Sequence, residues 1–363
     1  MALSCGLVGL PTVGKTTFFN LLTHVGADTS AFFTGKTDTR TGVCLIPDAR
    51  IDFLSEIFKP RKTTYAQLQV VDVPGLMRGS SQGQGVGNQF LEHVREVDAL
   101  VHIVRAFENP SVLHIDGSVD PLRDIQTINV ELLLADLQLV ETRMERIRSG
   151  KQKREQLAEL KVLEKCAEAF SDEKYFREVD LGPEEKAAIA HLRFLTEKPV
   201  IIVVNIDEKQ LDQNSYPQAE GVRAYAEQAG IPLLEICAQI EAEINALDPR
   251  EQEEFMRSLG IKEAGIKRLA QSMYSHLGLI SFLTAGEDEV RAWTIPRGTN
   301  AKRAAGKIHS DMERGFIRAE VVAFEDLKRC GSIARAREQG LVRLEGKDYI
   351  VKDGDVINFR FNV

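Results

Sequence analysis

Gly9-Leu10-Pro11-Thr12-Val13-Gly14-Lys15-Thr16 decides how this chain is read. It fits G-x-x-x-x-G-K-[ST], a loop whose glycines let successive backbone N–H groups turn inward toward phosphate oxygens. In that pattern Lys15 reaches the β- and γ-phosphates and the Thr16 hydroxyl faces Mg²⁺, while Pro11, Thr12, Val13, Gly14 and Thr17 complete the cradle. The flanks agree. Leu3 to Val8 is an apolar run that predicts a buried strand, and Thr17 to Thr23 predicts a helix whose positive N-terminus faces the anion.

Downstream, Leu68-Gln69-Val70-Val71-Asp72-Val73-Pro74-Gly75 predicts a strand ending in D-x-x-G. Asp72 is placed to hold a metal-bound water, and the Gly75 N–H to meet a γ-phosphate. Between the two motifs, Gly26 to Asp48 is polar and carries Thr34, Thr37, Thr39 and Thr41, any of which offers a hydroxyl to the metal shell. The residue after Gly75 is Leu76, where many GTPases have a water-orienting glutamine, so hydrolysis is expected to be slow or helped from elsewhere. Four glycines between Gly79 and Asn88 suit a segment that rearranges with the γ-phosphate; Gln82 and Gln84 lie in it. His114, in the loop Glu108 to Pro121, could position water or donate to developing charge.

The most β-like run, Val200 to Val204, ends in Asn205-Ile206-Asp207-Glu208. GTPases place N-K-x-D there, the aspartate taking two hydrogen bonds from guanine. Ile206 in the lysine position and Glu208 in the aspartate position weaken the case for guanine and permit adenine, whose 6-amino group is a donor. A strand from Pro232 to Cys237 leads to Ala238-Gln239-Ile240-Glu241, placed to close over the base.

Composition bounds the rest. With 363 residues the chain exceeds what one core usually supports, and 43% apolar with 28% charged residues is the balance of a globular protein. No run approaches the ~20 apolar residues of a membrane span, so a cytosolic protein is expected. Five scattered cysteines form no C-x-x-C pair and argue against a zinc site. Net charge −8 disfavours indiscriminate nucleic-acid binding, and no DNA specificity is expected. Ile125 to Phe170 carries apolar residues at helical spacing and predicts an antiparallel hairpin. Its turn near Gly150 is crowded with Arg143, Arg146, Arg148, Lys151, Lys153 and Arg154: a contact for RNA phosphates, or a solvated end paired with Glu141, Glu145 and Glu155. A third helix is expected from Pro183 to Thr196.

These motifs together resemble the YchF family, the Obg-like ATPases of the P-loop GTPase superclass. The resemblance is carried by Gly9 to Lys15, by Asp72 to Gly75 with Gly79 to Phe90, by Asn205 to Glu208, and by a C-terminal block. That block includes Val290 to Pro296, Ala305 to His309, Gly315 to Ile317 and Lys347 to Asp355. The resemblance implies an α/β fold: a G domain over 1–124 and 197–278, a helical coiled-coil insertion over 125–196, and a C-terminal β-grasp (TGS) domain over 279–363. It implies ATP taken in preference to GTP, association with the ribosome or its RNA, and a role in hydrolysis for the histidine matching His114. From Leu279 onward fifteen Lys/Arg face thirteen Asp/Glu, so this part is +2 and the remainder −10, which allows RNA contact.

Two departures bear on the implied site. The family's P-loop usually has asparagine, associated with potassium activation, where this chain has Thr12. Its first switch commonly reads P-F-x-T-I-x-P-N, whereas this chain has Phe33 to Arg40; Thr37 is the first choice for the Mg²⁺-sensing threonine and Thr34 the second, and Lys36 could replace the missing cation. The leading expectation is a slow Mg²⁺-dependent ATPase that switches on the ribosome. The alternatives are a nucleotide-gated binding module, a GTP-preferring switch and, with least support, a small-molecule kinase.

Overall fold

The computed structural model describes residues 3–24, 32–33, 40–73, 86–150 and 154–362. Strand β1 (Ser4–Val8) is buried at all five positions, as a strand covered on both faces must be. The glycine loop turns it into α1 (Lys15–His24). Then come β2 (Phe32–Phe33), β3 (Arg40–Ile46), α2 (Ala49–Phe58), β4 (Lys62–Thr64), β5 (Ala66–Asp72), α3 (Val86–Glu96) and β6 (Ala99–Arg105). A helical excursion follows, made of α4 (Pro121–Ser149), α5 (Arg154–Ser171) and α6 (Pro183–Ile189). The chain returns through β7 (Val200–Asn205), α7 (Glu208–Gln213), α8 (Ala219–Ala229), β8 (Leu233–Ile236), α9 (Ala238–Ala246) and α10 (Pro249–Ser258).

The first sheet has the order β2-β3-β5-β1-β6-β7-β8, and β5, β1, β6, β7 and β8 pair in parallel. Parallel strands bring their carboxyl ends to one edge, where α/β folds bind ligands. The motif loops at Gly9, Asp72 and Asn205 leave β1, β5 and β7 at that edge. Arg40–Ile46 is a strand within the polar segment Gly26 to Asp48: its side chains alternate, with Cys44 and Ile46 turned inward.

The hairpin is antiparallel. Arg143 on α4 makes a two-pronged pair with Glu159 on α5 (2.7 and 2.9 Å), and Arg148 pairs with Glu164 at 2.9 Å. Part of the basic tip cluster is therefore neutralised across the hairpin, by carboxylates other than the three expected; Lys151 and Lys153 lie outside the described residues. Helix α4 starts at Pro121 rather than Ile125, because the Asp120 carboxylate accepts the Arg123 N–H at 3.1 Å and proline suits the first turn. Helix α6 ends at Ile189, short of Thr196. The N–H groups of Leu195 and Thr196 donate instead to fully buried Asp136 on α4 (3.0 and 2.8 Å), so the backbone there cannot stay helical.

The C-terminal part comprises α11 (Gly265–His276), β9 (Leu279–Ala285), β10 (Glu289–Pro296), α12 (Ala301–Ile308), α13 (Ser310–Arg314), β11 (Phe316–Ala323), α14 (Phe324–Cys330), α15 (Ile333–Glu338), β12 (Arg343–Glu345) and β13 (Asp355–Phe361). Helices α12 and α13 are separated by a break at His309, whose Nδ1 accepts the Asp311 N–H and starts the second of them. Its sheet runs β12-β11-β13-β9-β10-β4, and the alanines of α12 join Phe282, Ile295, Val321 and Ile357 in one core.

The chain forms two compact units, Leu3–Gly42 with Gln69–Ile266, and Val43–Leu68 with Lys267–Val363. The second unit therefore includes a stretch from early in the sequence. Within it β4 pairs with β10, Arg50 bridges Asp48 and Asp353 (2.8 Å to each), and Phe53 meets Phe324 edge-on at 5.6 Å.

Candidate functional site

The phosphate loop needs its glycines for two separate reasons. Gly9 has φ +152°, and a Cβ there would collide with the Ile103 carbonyl oxygen of β6. Gly14 has φ +103°, and a Cβ would lie 2.6 Å from the Asn205 amide nitrogen. Thr12, exposed at φ 63°, holds a left-handed conformation that β-branched residues rarely adopt. Pro11 is half-buried, Val13 is packed inside and Thr17 faces solvent.

Lys15 is buried, and its ammonium donates to the carbonyls of Gly9 (3.1 Å) and Leu10 (2.8 Å). Burial lowers its pKa from 10.5 to about 8, with the Asp72 carboxylate opposing the shift. The Thr16 hydroxyl donates to Asp72 Oδ2 at 3.0 Å, so the two residues named as metal ligands meet across 56 positions of sequence. Burial raises the Asp72 pKa, opposed by Thr16, Lys15 and Arg40. The Thr16 hydroxyl and the partly desolvated Asp72 carboxylate together form an oxygen donor set that fits Mg²⁺. Behind Lys15, fully buried His102 has its pKa pushed down to about 3, first by burial and then by Lys15, and is neutral at physiological pH.

At the base end, Asn205 donates to the Val13 carbonyl at 3.0 Å and accepts the Ala238 N–H at 3.2 Å. One side chain thus ties the phosphate loop to the base loop. Ile206 is 4% exposed and packs in the core with Val104, Val204 and Ile240, which leaves its backbone to face a nucleotide. Asp207 is used as the cap of α7, accepting the Gln210 N–H at 2.9 Å. Glu208, at the first position of α7, is exposed, as is Gln239.

His114 is buried. The Asp116 N–H donates to its Nδ1 at 3.2 Å, and its Nε2 donates to Asp124 Oδ2 at 2.8 Å. Both nitrogens are therefore engaged within its own loop and the first turn of α4, not with the phosphate loop. Sequence reasoning missed three supporting residues. Asp124 is one. Arg105 is another, buried at the end of β6 and donating to the carbonyls of Phe107 (2.9 Å) and Val112 (3.0 Å). The third, Glu241, accepts the N–H groups of Gly265 and Ile266 (2.7 and 3.2 Å) and so ties α9 to the start of α11. Asp124 and Arg105 belong to no motif, and Glu241 lies in the base loop with nothing in the sequence to show its tie to α11; Arg105 at the end of an apolar strand was a visible signal. Gly75, Leu76, Thr34, Lys36, Thr37, Thr39, Gln82 and Gln84 lie outside the described residues; Thr41 is in β3.

Comparison with known proteins decides the family. The chain is 45% identical over 366 residues to "Ribosome-binding ATPase YchF" of Bacillus subtilis (strain 168), with all of both chains covered. It belongs to the YchF family. The protein of the same name from Escherichia coli O157:H7 is 46% identical, again with full coverage of both chains. The solved structure of the Schizosaccharomyces pombe YchF GTPase is 33% identical, with TM-score 0.85 over 99% of this chain and 97% of that one. A family model described as "50S ribosome-binding GTPase" matches residues 4–140. The YchF GTPase C-terminal model, described as "Protein of unknown function (DUF933)", matches residues 279–362. The fold is thus that of YchF proteins: a G domain with a helical excursion, followed by the family's C-terminal domain.

Proposed function

We propose that this YchF-family protein is a Mg²⁺-dependent nucleotide hydrolase that binds ATP in preference to GTP, hydrolyses it slowly, and acts in the cytosol on the ribosome. The observation that carries the reading is Thr16 meeting Asp72 beside Lys15, which gathers the residues suited to a metal and to phosphate oxygens at one strand edge. The names of the full-length relatives support ATP and the ribosome. Bound Mg²⁺ would neutralise charge on the phosphates, held by Thr16 and Asp72. Lys15 would leave the carbonyls of Gly9 and Leu10 for phosphate oxygens, and the loop's N–H groups would complete the cradle. Exposed Glu208 is free of the cap that engages Asp207 and suits an amino donor on the base.

Hydrolysis is read as slow because Leu76 cannot orient water, which leaves His114 as the residue serving the chemistry. Phosphate release from ATP with and without Mg²⁺, for the unmodified protein, Lys15→Ala and Asp72→Asn, tests the hydrolase reading. Co-sedimentation with ribosomes under ATP and ADP tests the partner. A second reading, a nucleotide-gated binding module with incidental hydrolysis, is favoured by the full engagement of His114. It predicts ribosome binding that persists in a His114→Ala variant and still depends on ATP.

A further inference from the structure

The loop that carries His114 is held almost wholly by polar ties. Arg105 fixes its start through the Phe107 and Val112 carbonyls. Asp124 fixes its end through His114 Nε2 at 2.8 Å. Asp124 is itself held, its Oδ1 accepting from Arg123 Nε (3.1 Å) and Nη2 (2.9 Å), and the same guanidinium donates to the Ser118 carbonyl at 2.7 Å. The ligand-type atoms of His114, Asp116 and Asp124 lie within 4.8 Å of one another, but the cation beside these carboxylates is Arg123, 3.8 Å from Asp116 Oδ2. The cluster is ion-paired through Arg123. Apolar packing adds little to it: Val112, Leu113 and Ile115 are 37%, 84% and 46% exposed. A segment with few buried apolar contacts opens at low cost once its polar ties are broken.

We propose that Asp124 is a positioning residue that holds His114 withdrawn from the nucleotide, and that hydrolysis requires the His114–Asp124 bond to break. The inference rests on the reading above in which His114 serves hydrolysis. Asp124 lies in the first turn of α4, the long arm of the helical excursion. Movement of that arm would carry the acceptor away from the imidazole, giving a partner bound there a route to the rate of hydrolysis.

The test compares full-length unmodified protein, Asp124→Ala, Asp124→Asn and the Asp124→Ala/His114→Ala double variant. Diethyl pyrocarbonate labelling, mapped by mass spectrometry, reads the latch directly, with His309 (side chain 63% exposed) as internal reference. His114 is expected to label about tenfold more slowly than His309 in the unmodified protein and at a comparable rate in Asp124→Ala. With ATP and Mg²⁺, kcat should rise several-fold in Asp124→Ala at unchanged KM, rise less in Asp124→Asn, and lose the gain in the double variant. A merely structural Asp124 would not produce that split. His114 still protected in Asp124→Ala, or a gain that survives His114→Ala, overturns the proposal; Asp124→Asn carries the test if the alanine variant does not fold. If the unmodified protein releases no phosphate from ATP, the hydrolase reading fails while the labelling still decides the latch.

Discussion

The Asn205 side chain donates to the Val13 carbonyl at 3.0 Å, and the residue that opens the base motif thereby braces the phosphate loop. Gly14 is the residue that leaves room for it. Replacing Gly14 with alanine forces a Cβ against the Asn205 amide at a φ of +103°. The expected result is a loss of about 1–3 kcal/mol of stability and a nucleotide affinity at least about tenfold weaker. Chemical denaturation and fluorescent-nucleotide titration measure the two; unchanged values in both would show that the brace is dispensable.

Lys15 gives a pH-dependent prediction. Its folded-state pKa, about 8, lies below its ordinary 10.5, so the unfolded chain binds that proton more tightly. The penalty from Lys15 is complete below pH 8 and disappears as pH rises toward 10.5. A lowering of this size corresponds to ~3 kcal/mol. Lys15→Met removes the charge together with two hydrogen bonds to carbonyls, so its absolute stability mixes opposing effects. The difference in unfolding free energy, variant minus unmodified, should nevertheless fall by ~3 kcal/mol from pH 7 to pH 10.5. A difference that stays flat across that range would mean Lys15 is not desolvated, and the variant should in any case fail to retain ATP.

Asp136 is the polar centre of the helical excursion. Fully buried, it accepts from Leu195 N–H, Thr196 N–H, the Thr196 hydroxyl (2.8 Å) and Arg95 (3.0 Å). Asp136→Ala leaves the Leu195 and Thr196 N–H groups and the Thr196 hydroxyl buried without this acceptor and is expected to cost about 3–5 kcal/mol. Hydrogen exchange should show the loss at Leu195 and Thr196 first. A cost within that of an ordinary surface substitution would contradict the role assigned to it.

Thr12 takes a φ of 63°. Thr12→Gly removes a side chain that disfavours this conformation and is expected to raise stability, or at least leave it unchanged, within ~1 kcal/mol. Thr12→Asn keeps a side chain that tolerates the left-handed region and restores the residue usual in the family. A potassium stimulation of turnover in Thr12→Asn larger than in the unmodified protein is the expected outcome if residue 12 bears on a monovalent cation; identical responses in both proteins would show that it does not.

What could be read from the residues was local. The phosphate loop, the strands ending at Asp72 and Asn205 and the helical hairpin each have a periodicity or spacing that survives in any context. The association of Val43–Leu68 with the C-terminal sheet had no such signal, because Lys62–Thr64 is a three-residue polar edge strand whose partner, β10, lies more than two hundred residues on. The early end of α6 depends on Asp136, a carboxylate over fifty residues away that captures the N–H groups a longer helix would have used. At the site, Thr16 meets Asp72 and Asn205 meets Val13, contacts that join motifs which the sequence displays one at a time. The engagement of His114 by Asp124 was illegible, because a loop histidine's partner depends on where the next helix begins.

The proposed preference for ATP is tested by parallel titration of the full-length protein with ATP and GTP in the presence of Mg²⁺. Tighter binding of ATP is predicted, with the preference narrowed by Glu208→Asp. GTP bound tenfold more tightly than ATP, a difference of ~1.4 kcal/mol, would make the protein a guanine-nucleotide switch instead.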